Sequence, residues 1–179
     1  MNIDTLIDAV ILREGDYSDH PADKGGPTRW GITQAVARAE GYDGAMTALP
    51  RDVAARIYRR LYWEKPGFCF VAEIAPFLAA ELFDTGVNMG TGTAAGFLQR
   101  VLNAMNRDQR DYPDLKVDRT LGAKTLSALA AFLKLRGAVG ETVLLKAMDA
   151  LQGERYIALA EARPGNEAFL YGWIANRLA

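Results

Sequence analysis

Cysteine and histidine are almost absent from the sequence, and their scarcity excludes several classes of enzyme. The 179 residues contain one cysteine, Cys69, and one histidine, His20. A single cysteine cannot form an internal disulfide, and zinc peptidases and amidases need clustered histidine and cysteine ligands. A catalytic triad that depends on histidine needs a placed imidazole. The sequence therefore argues against both kinds of hydrolase.

Net charge and long apolar runs are also scarce. The formal net charge is −1 and the pI is about 5.9, so the chain has no overall field that attracts nucleic acid or an anionic membrane. No run approaches the roughly 18 apolar residues of a membrane span, and we expect neither membrane insertion nor a nucleic-acid partner. The first 15 residues carry Asp4 and Asp8 and lack a basic start, which predicts synthesis in the cytoplasm without a Sec signal peptide.

Apolar residues recur at helical spacing along most of the chain. In residues 2–14 they form one stripe, made of Ile3, Leu6, Ile7, Val10 and Ile11. Similar patterns predict helices at 33–40, 50–64, 76–86, 91–106, 120–136, 139–162 and 166–178. Residues 15–33 are rich in turn residues and predict a small β-hairpin region. The predicted fold class is mainly α (α+β).

Glu14 stands out at the end of the first predicted helix. It lies three, four and seven residues after members of the apolar stripe and so continues it. It is also the last residue before Gly15, at the negative end of the helix dipole. Partial burial and the dipole both favour a neutral carboxyl, which suits a general acid. A frayed helix end with an exposed glutamate explains the position equally well.

Asp23 and Thr28 follow Glu14 within the turn-rich segment. A hairpin that folds back after the helix would bring an aspartate and a hydroxyl opposite the glutamate. One protonated and one ionised carboxyl across a cleft is the arrangement that glycoside hydrolysis requires. The usual alternative for an aspartate near glycine and proline is a solvated turn residue or an Asx cap.

A resemblance to a known family is carried by residues 14–33, EGDYSDHPADKGGPTRWGIT. This segment resembles the signature of the glycoside hydrolase 108 family of N-acetylmuramidases, whose hallmark is Glu-Gly-Gly-Tyr after the first helix. Further similar blocks are YRRLYWEKPGF (58–68) and ELFDTGVNMGTGTAAGFLQRVLN (81–103). The family's C-terminal peptidoglycan-binding-like region resembles VDRTLGAKTLSAL (117–129) and NEAFLYGWIANR (166–177). Asp16 departs from the hallmark and adds a negative charge near Glu14.

The resemblance implies a lysozyme-like fold and assigns roles to the acidic segment. Glu14 would protonate the glycosidic oxygen. By similarity to the Glu–Asp–Thr spacing of phage-type lysozymes, Asp23 and Thr28 would handle the attacking water, although Thr28 is one residue nearer to Asp23 than in that pattern. The resemblance favours an inverting reaction and implies neither a metal nor a cofactor.

The resemblance also implies a division of labour along the chain. The polar stretch 107–118 is the predicted boundary between a catalytic region, 1–106, and a peptidoglycan-binding-like region, 107–179, packed as one compact unit. The implied substrate is the glycan strand of peptidoglycan, cut at the β-1,4 bond between N-acetylmuramic acid and N-acetylglucosamine. We expect a monomer that reaches the periplasmic or cell-wall peptidoglycan after release, through a holin or a dedicated route. The expected use is cell lysis or wall remodelling for protein release.

Aromatic and amide side chains complete the predicted site. Tyr17, Trp30 and Tyr62 offer flat faces with polar tips, which suit a glycan cleft. Asn88 and Gln99 occupy positions that match the family, and they are predicted to hydrogen-bond the sugar. Packing in the core competes as an explanation for the aromatic residues, and helix capping or buried networks compete for the amides.

Two rival functions remain open at the level of sequence. A lytic transglycosylase cuts the same bond with one acid/base glutamate and forms an anhydro sugar, so it does not need a second carboxyl such as Asp23. A non-catalytic wall-binding or secretion-accessory protein would use the C-terminal region without hydrolysis. Fold alone does not decide between these functions, because function lies in the site.

Overall fold

The structure is a computed structural model that describes residues 2–19 and 26–178. The chain divides into two compact units, Met1–Lys65 and Pro66–Ala179. The boundary predicted at 106/107 concerns catalytic and wall-binding regions; it lies inside the second unit and stays a prediction.

The first unit is built on two packed helices. Helix α1 (Ile3–Glu14) begins after Asn2, whose side chain accepts a hydrogen bond from the backbone N–H of Asp4 at 2.9 Å. Its predicted stripe is confirmed, because Ile7, Val10 and Ile11 are buried. Helix α1 packs against α3 (Arg51–Arg59). The short helix α2 (Gln34–Ala39) lies between them in the sequence.

A small antiparallel sheet follows α1, as the turn-rich composition predicts. Strand β1 is Tyr17–Ser18, β2 is Thr28–Arg29 and β3 is Ile32–Thr33, and β2 lies between the other two. Tyr17 pairs with Arg29, and Arg29 pairs with Ile32. The sheet therefore holds both ends of the segment that carries the predicted site.

The predicted helix at 50–64 forms, but its last turns change winding. Residues Arg60–Glu64 are a π-helix, and the backbone N–H of Lys65 donates to the carbonyl of Arg60 at 2.9 Å. Such π turns occur often at functional sites. Tyr62 lies in this segment.

The second unit is helical in its described residues. Its helices are α4 (Phe68–Ala72), α5 (Pro76–Met89), α6 (Thr91–Ala104), α7 (Ala123–Arg136), α8 (Ala138–Ala162) and α9 (Glu167–Arg177). Helix α5 packs against α4, α6 and α8, and the largest fully buried side chains include Phe68, Phe83 and Phe132. Glu141 of α8 accepts hydrogen bonds from the backbone N–H groups of Phe77 and Leu78 at 2.8 and 3.0 Å, which caps the start of α5.

Amide side chains on one face of α6 hold the polar segment that precedes α7. Gln99, Asn103 and Asn106 follow one another at spacings of four and three residues, so they share a face of the helix and its C-terminal extension. Asn103 exchanges two hydrogen bonds of 2.8 Å with the backbone of Leu115, and Asn106 bonds the N–H and C=O of Tyr112 at 3.1 and 2.6 Å. The segment is therefore fixed by side chains instead of by a ladder of backbone bonds.

The observed architecture confirms the predicted fold class, which is mainly α with a small β region. Helix α4 was not predicted, because five residues are too few for a periodic pattern. In the part of the chain that the structure describes, each helix is either too short or too polar to span a membrane.

Candidate active site

Helix α1 ends at Glu14 because the next residue, Gly15, adopts a positive φ of 79°. The Glu14 side chain is exposed. The expectation of partial burial is therefore wrong, although the stripe itself is buried. The physical reason is that the helix ends here, so Glu14 extends beyond the residues that cover the stripe. An exposed carboxyl at a helix end is open to a ligand from solvent.

A two-residue turn joins β2 to β3 and lies over Glu14. Its central residues, Trp30 and Gly31, have φ angles of 55° and 75°, and the flanking Arg29 and Ile32 pair across the strands. Positive φ at both central positions is characteristic of a type I′ turn, which suits the twist of a hairpin. A bulky side chain such as that of Trp30 rarely adopts this conformation. The turn therefore stores backbone strain at Trp30.

Gly31 makes the closest approach between the turn and the helix. A Cβ atom at this position would overlap the hydroxyl of Tyr58 and lie 2.8 Å from Cγ of Glu14. Only glycine fits both this gap and the positive φ. The methylene groups of Glu14 are thus held against the backbone of the turn.

Two tyrosines stand beside Glu14. The buried Tyr58 donates its hydroxyl hydrogen to the carbonyl of Trp30 at 3.1 Å, and its ring centroid lies 5.6 Å from that of Tyr62. Burial, the Glu14 carboxylate and Tyr62 raise the pKa of Tyr58, in that order of effect. Burial and then the Glu14 carboxylate raise the pKa of Tyr62. Both phenols therefore stay neutral near pH 7 and lie within electrostatic reach of Glu14.

Arg29 organises the outer side of the turn. Its Nε donates to Oδ1 of Asp16 at 2.8 Å, and another guanidinium nitrogen donates to the carbonyl of Thr47. The guanidinium also lies 5.2 Å from the centroid of the Trp30 ring. The negative charge expected near Glu14 from Asp16 is thus offset by an ion pair.

Trp30 is anchored at both ends of the residue. Its backbone N–H donates to the carbonyl of Asp16 at 2.9 Å, and its indole N–H donates to the carbonyl of Leu49 at 3.2 Å. The ring is half-buried, so one part remains open to solvent. Trp30 is therefore an anchor of the hairpin, and its predicted contact with the glycan stays a prediction.

The remaining acidic-segment residues differ in how they are placed. Asp23 lies outside the described residues, so its role stays a prediction. Thr28 is half-buried in β2 and donates its hydroxyl hydrogen to the carbonyl of Gly26 at 3.1 Å. Tyr17 is 42% exposed in β1 and donates to Oδ2 of Asp19 at 3.3 Å. Tyr17 thus presents an accessible aromatic face on the sheet.

The two predicted amide ligands belong to the second unit, and one of them is not available to a sugar. Gln99 is 1% exposed, and its Nε2 donates to Oδ1 of Asp118 at 2.8 Å and to the carbonyl of Thr120 at 3.0 Å. Its Oε1 accepts from the backbone N–H of Arg119 at 3.0 Å. The prediction of sugar binding by Gln99 is corrected to a buried structural role, because both ends of its amide already have partners.

Asn88, in contrast, is exposed near the end of α5. Its Nδ2 donates to the carbonyl and to Oδ2 of Asp84 at 2.8 and 2.9 Å. It also borders a cavity of about 210 Å³ with Arg155, Tyr156 and Trp173. Its predicted contact with the substrate stays a prediction.

The described residues contain no group of three or more His, Cys, Asp or Glu side chains arranged to hold a metal ion. The chemistry that these residues offer is that of a carboxyl group beside aromatic rings and hydroxyl groups.

Sequence reasoning missed the parts that position Glu14. Tyr58, Gly31 and Arg29 were not singled out. The signal for the turn was present, because Trp30-Gly31 lies between two short β-prone pairs, Thr28-Arg29 and Ile32-Thr33. The four-residue spacing of Tyr58 and Tyr62 also places both rings on one helix face.

Comparisons with known proteins agree with this arrangement. Residues 7–90 match the family model described as glycosyl hydrolase 108, and residues 93–178 match one described as "Predicted Peptidoglycan domain". Among solved structures, SagA of Brucella abortus is similar, with a TM-score of 0.66 and 26% sequence identity over 98% of this chain and 88% of that chain. Comparison with curated proteins gave no match.

Residues 7–90 of the chain thus form a glycosyl hydrolase 108 domain, as the resemblance of residues 14–33 indicates. The chain is therefore a glycoside hydrolase. The second matched domain, which covers most of the remaining chain, indicates peptidoglycan as the substrate. Together the two domains support a peptidoglycan hydrolase.

Proposed function

We propose that this glycoside hydrolase is an N-acetylmuramidase, which hydrolyses the β-1,4 bond between N-acetylmuramic acid and N-acetylglucosamine. The observation that carries the proposal is the placement of Glu14, an exposed carboxyl beneath the Trp30-Gly31 turn and beside the phenols of Tyr58 and Tyr62. Aromatic faces beside a carboxyl suit a sugar ring that must be held while its glycosidic oxygen is protonated.

Glu14 is the general acid of the proposed reaction. A glycan that covers the exposed side chain excludes water from the place where Glu14 donates its proton. The contact of its methylene groups with Gly31 limits the directions in which the carboxyl can point. Proton donation to the leaving oxygen then has a defined geometry.

Asp23 and Thr28 serve the attacking water in this proposal. Asp23 acts as the base or stabilises the oxocarbenium-like transition state, as an inverting hydrolase requires of its second carboxyl. Thr28 supports the water-positioning role to a limited degree. Its hydroxyl hydrogen is used by Gly26, which leaves oxygen lone pairs free to accept a hydrogen bond from water.

The cellular role follows from the substrate. We infer that the protein acts as a monomer on cell-wall peptidoglycan after leaving the cytoplasm, through a holin or another route. Its use is lysis or remodelling of the wall.

The test is digestion of purified peptidoglycan by the wild type, Glu14→Gln and Asp43→Asn, with products analysed by mass spectrometry. Asp43 is an exposed carboxylate of the same unit and provides a matched loss of one negative charge. We expect reducing muramic acid ends from the wild type and Asp43→Asn, and a rate about 10²–10⁴-fold lower for Glu14→Gln. Thermal stability should change little, because Glu14 is exposed.

Three results would contradict the proposal. Anhydro-muramic ends would identify a lytic transglycosylase. Full activity of Glu14→Gln would show that another residue is the general acid. If the wild type sediments with purified sacculi but releases no reducing ends, the protein binds peptidoglycan without cleaving it.

A further inference from the structure

A second cavity lies within the second unit, where the end of α6, the end of α7 and the start of α8 meet. Its volume is about 560 Å³, a size that suits a small ligand. Residues without polar side chains form most of its lining: Ala104, Met105, Phe132, Val139, Gly140 and Val143. Val139 and Val143 are 69% and 39% exposed, so the cavity opens to solvent along α8.

The polar side chains that line this cavity are two arginines, Arg107 and Arg136. The guanidinium of Arg136 lies 6.0 Å from the centroid of the Phe132 ring. Within the described residues, Arg136 has neither a hydrogen bond nor an ion pair from its side chain. An apolar cavity thus has an available guanidinium at its edge.

The neighbouring Asp111 shows which kind of group these arginines hold. The guanidinium of Arg107 donates to both carboxylate oxygens of Asp111, with an Nε to Oδ2 distance of 3.0 Å. The hydrogen bonds from Arg107, with smaller charge effects from Arg136 and Arg110, hold the pKa of Asp111 below its usual value. Arg107 is occupied by Asp111, whereas Arg136 has no carboxylate partner among the described residues, so a second carboxylate would be attracted to Arg136.

Peptidoglycan offers two kinds of chemistry, and only one suits this cavity. A glycan strand presents hydroxyl and acetamido groups, which need several hydrogen-bonding side chains and an open aromatic face. The lining has no hydroxyl or amide side chain, and Arg136 lies over its aromatic ring. The peptide stem instead presents methyl side chains and a terminal carboxylate, which match the apolar wall and the free guanidinium.

We propose that this cavity binds the carboxylate end of a peptidoglycan peptide stem, with Arg136 on the carboxylate and Val139 and Val143 on the alanine methyl groups. The inference rests on the proposed peptidoglycan substrate and adds a second point of contact with it. The cavity lies within residues 93–178, which match the peptidoglycan domain. Binding of the stem would hold the enzyme on walls that retain uncleaved peptides.

The experiment is an NMR titration of the full chain with Nα-acetyl-D-alanyl-D-alanine and with its C-terminal amide, which lacks the charge. The acid should shift the signals of Val139, Val143 and the Arg136 guanidinium. The amide should bind about tenfold more weakly, equivalent to about 1.4 kcal/mol. Arg136→Gln should weaken binding of the acid by a similar factor. Arg163→Gln, an exposed arginine of the same unit, should change it by about twofold or less.

Equal binding of the acid and the amide would overturn the proposal, as would saturable shifts at another surface. The absence of any saturable shift with millimolar acid would overturn it too. Val143→Glu provides a second variant, because it adds a negative charge at an exposed position on the cavity wall and should weaken the acid more than the amide.

A cleavage assay separates this proposal from the muramidase proposal. On glycan strands stripped of their stems by an amidase, the wild type and Arg136→Gln should react equally. On intact peptidoglycan the variant should show a raised KM at similar kcat. If the wild type cleaves neither substrate, the muramidase proposal fails. The NMR titration still tests independently whether the cavity binds the stem carboxylate.

Discussion

The polar side chains of the candidate site lie at the surface of the first unit around one turn, whereas several polar side chains of the second unit face inward. Glu14 is exposed, and Asp16 pairs with Arg29 beside it. Gln99 and Asn106 are 1% and 0% exposed, and they bond the backbone of the segment before α7. Similar chemical groups therefore do different work. Polar groups whose bonds are all made inside the unit stabilise the fold, and those left open to solvent remain available for chemistry.

Glu81 is a carboxyl group of the second unit that faces inward, in contrast to the exposed Glu14 of the first unit. It is half-buried on α5, where it accepts a hydrogen bond from the Thr85 hydroxyl at 2.8 Å. Burial raises the pKa of Glu81 to about 7; the hydrogen bond from Thr85 opposes the rise, and the charges of Asp149 and Asp84 add to it. A carboxyl that faces inward thus makes the second unit sensitive to pH.

The largest expected effect comes from Gly31→Ala, which would break the placement of the surface site. The new Cβ would overlap the Tyr58 hydroxyl and approach Glu14, in addition to the strain of a positive φ. We expect the free energy of unfolding to fall by about 4 kcal/mol. The hydrolytic rate should fall roughly 100-fold as Glu14, the proposed acid, is displaced.

Gly41→Ala is the matched control for this change. Gly41 also has a positive φ, 85°, but a Cβ there would meet no atom within 4 Å. It should lose only about 1–2 kcal/mol and keep full activity. Equal effects of the two substitutions on activity would show that contact with Glu14 does not matter. Denaturant unfolding and reducing-end release measure the two quantities.

The next effect is the pH dependence of stability caused by Glu81. Below about pH 4.5 the Glu81 carboxyl is neutral in both the folded and the unfolded state. The full contribution of Glu81 to the stability of the folded state is therefore present there. As pH rises through 4.5 to about 7, the unfolded chain ionises while the folded Glu81 keeps its proton, and this contribution is lost. The difference between 4.5 and 7 corresponds to about 3 kcal/mol.

Glu81→Gln should remove this loss of stability between about pH 4.5 and pH 7, as measured by denaturant unfolding at each pH. Glu73→Gln, an exposed glutamate of the same unit, should retain it. An unchanged pH profile in Glu81→Gln would assign the sensitivity to other groups and weaken the contrast between inward and outward carboxyls.

The smallest expected effect compares a buried amide side chain with an exposed one. Asn106→Ala leaves the buried N–H and C=O groups of Tyr112 without their partner, which should cost about 2 kcal/mol of unfolding free energy. Cleavage of stem-free glycan should not change. The exposed Asn176→Ala loses one bond to the carbonyl of Gly172 and should cost about 0.5 kcal/mol or less. Equal losses in the two variants would deny Asn106 a special role.

Sequence patterns predicted the helices well because their apolar faces repeat over many residues. The stripe of α1 is buried as expected, and α8 was predicted to within one residue at its start. The same patterns were less informative at ends. Glu14 has the period of the stripe, but periodicity does not tell where neighbouring elements stop covering it. The π-helical winding of residues 60–64 depends on backbone hydrogen bonds between residues five apart. Side-chain patterns in the sequence do not predict such bonds.

The candidate site was predictable to the extent that local chemistry defines it. Glu14 followed from its place before a glycine, and Trp30 from its place in the turn-rich segment. Gln99 was misjudged because an amide at a given spacing serves a buried network or a ligand equally well. Its partners, Asp118 and Thr120, come from a segment about 20 residues later, and that contact is set by tertiary packing.

The left-handed Trp30 implies a conflict between stability and activity at a single position. Asparagine or glycine would occupy its place in a type I′ turn with less strain. Either residue would remove the indole that lies against Arg29 and reaches Leu49. A chain engineered for thermal tolerance alone would therefore tend to discard Trp30. Under the proposed function, a chain engineered for turnover would keep Trp30 and would have to recover the lost stability at positions outside the turn.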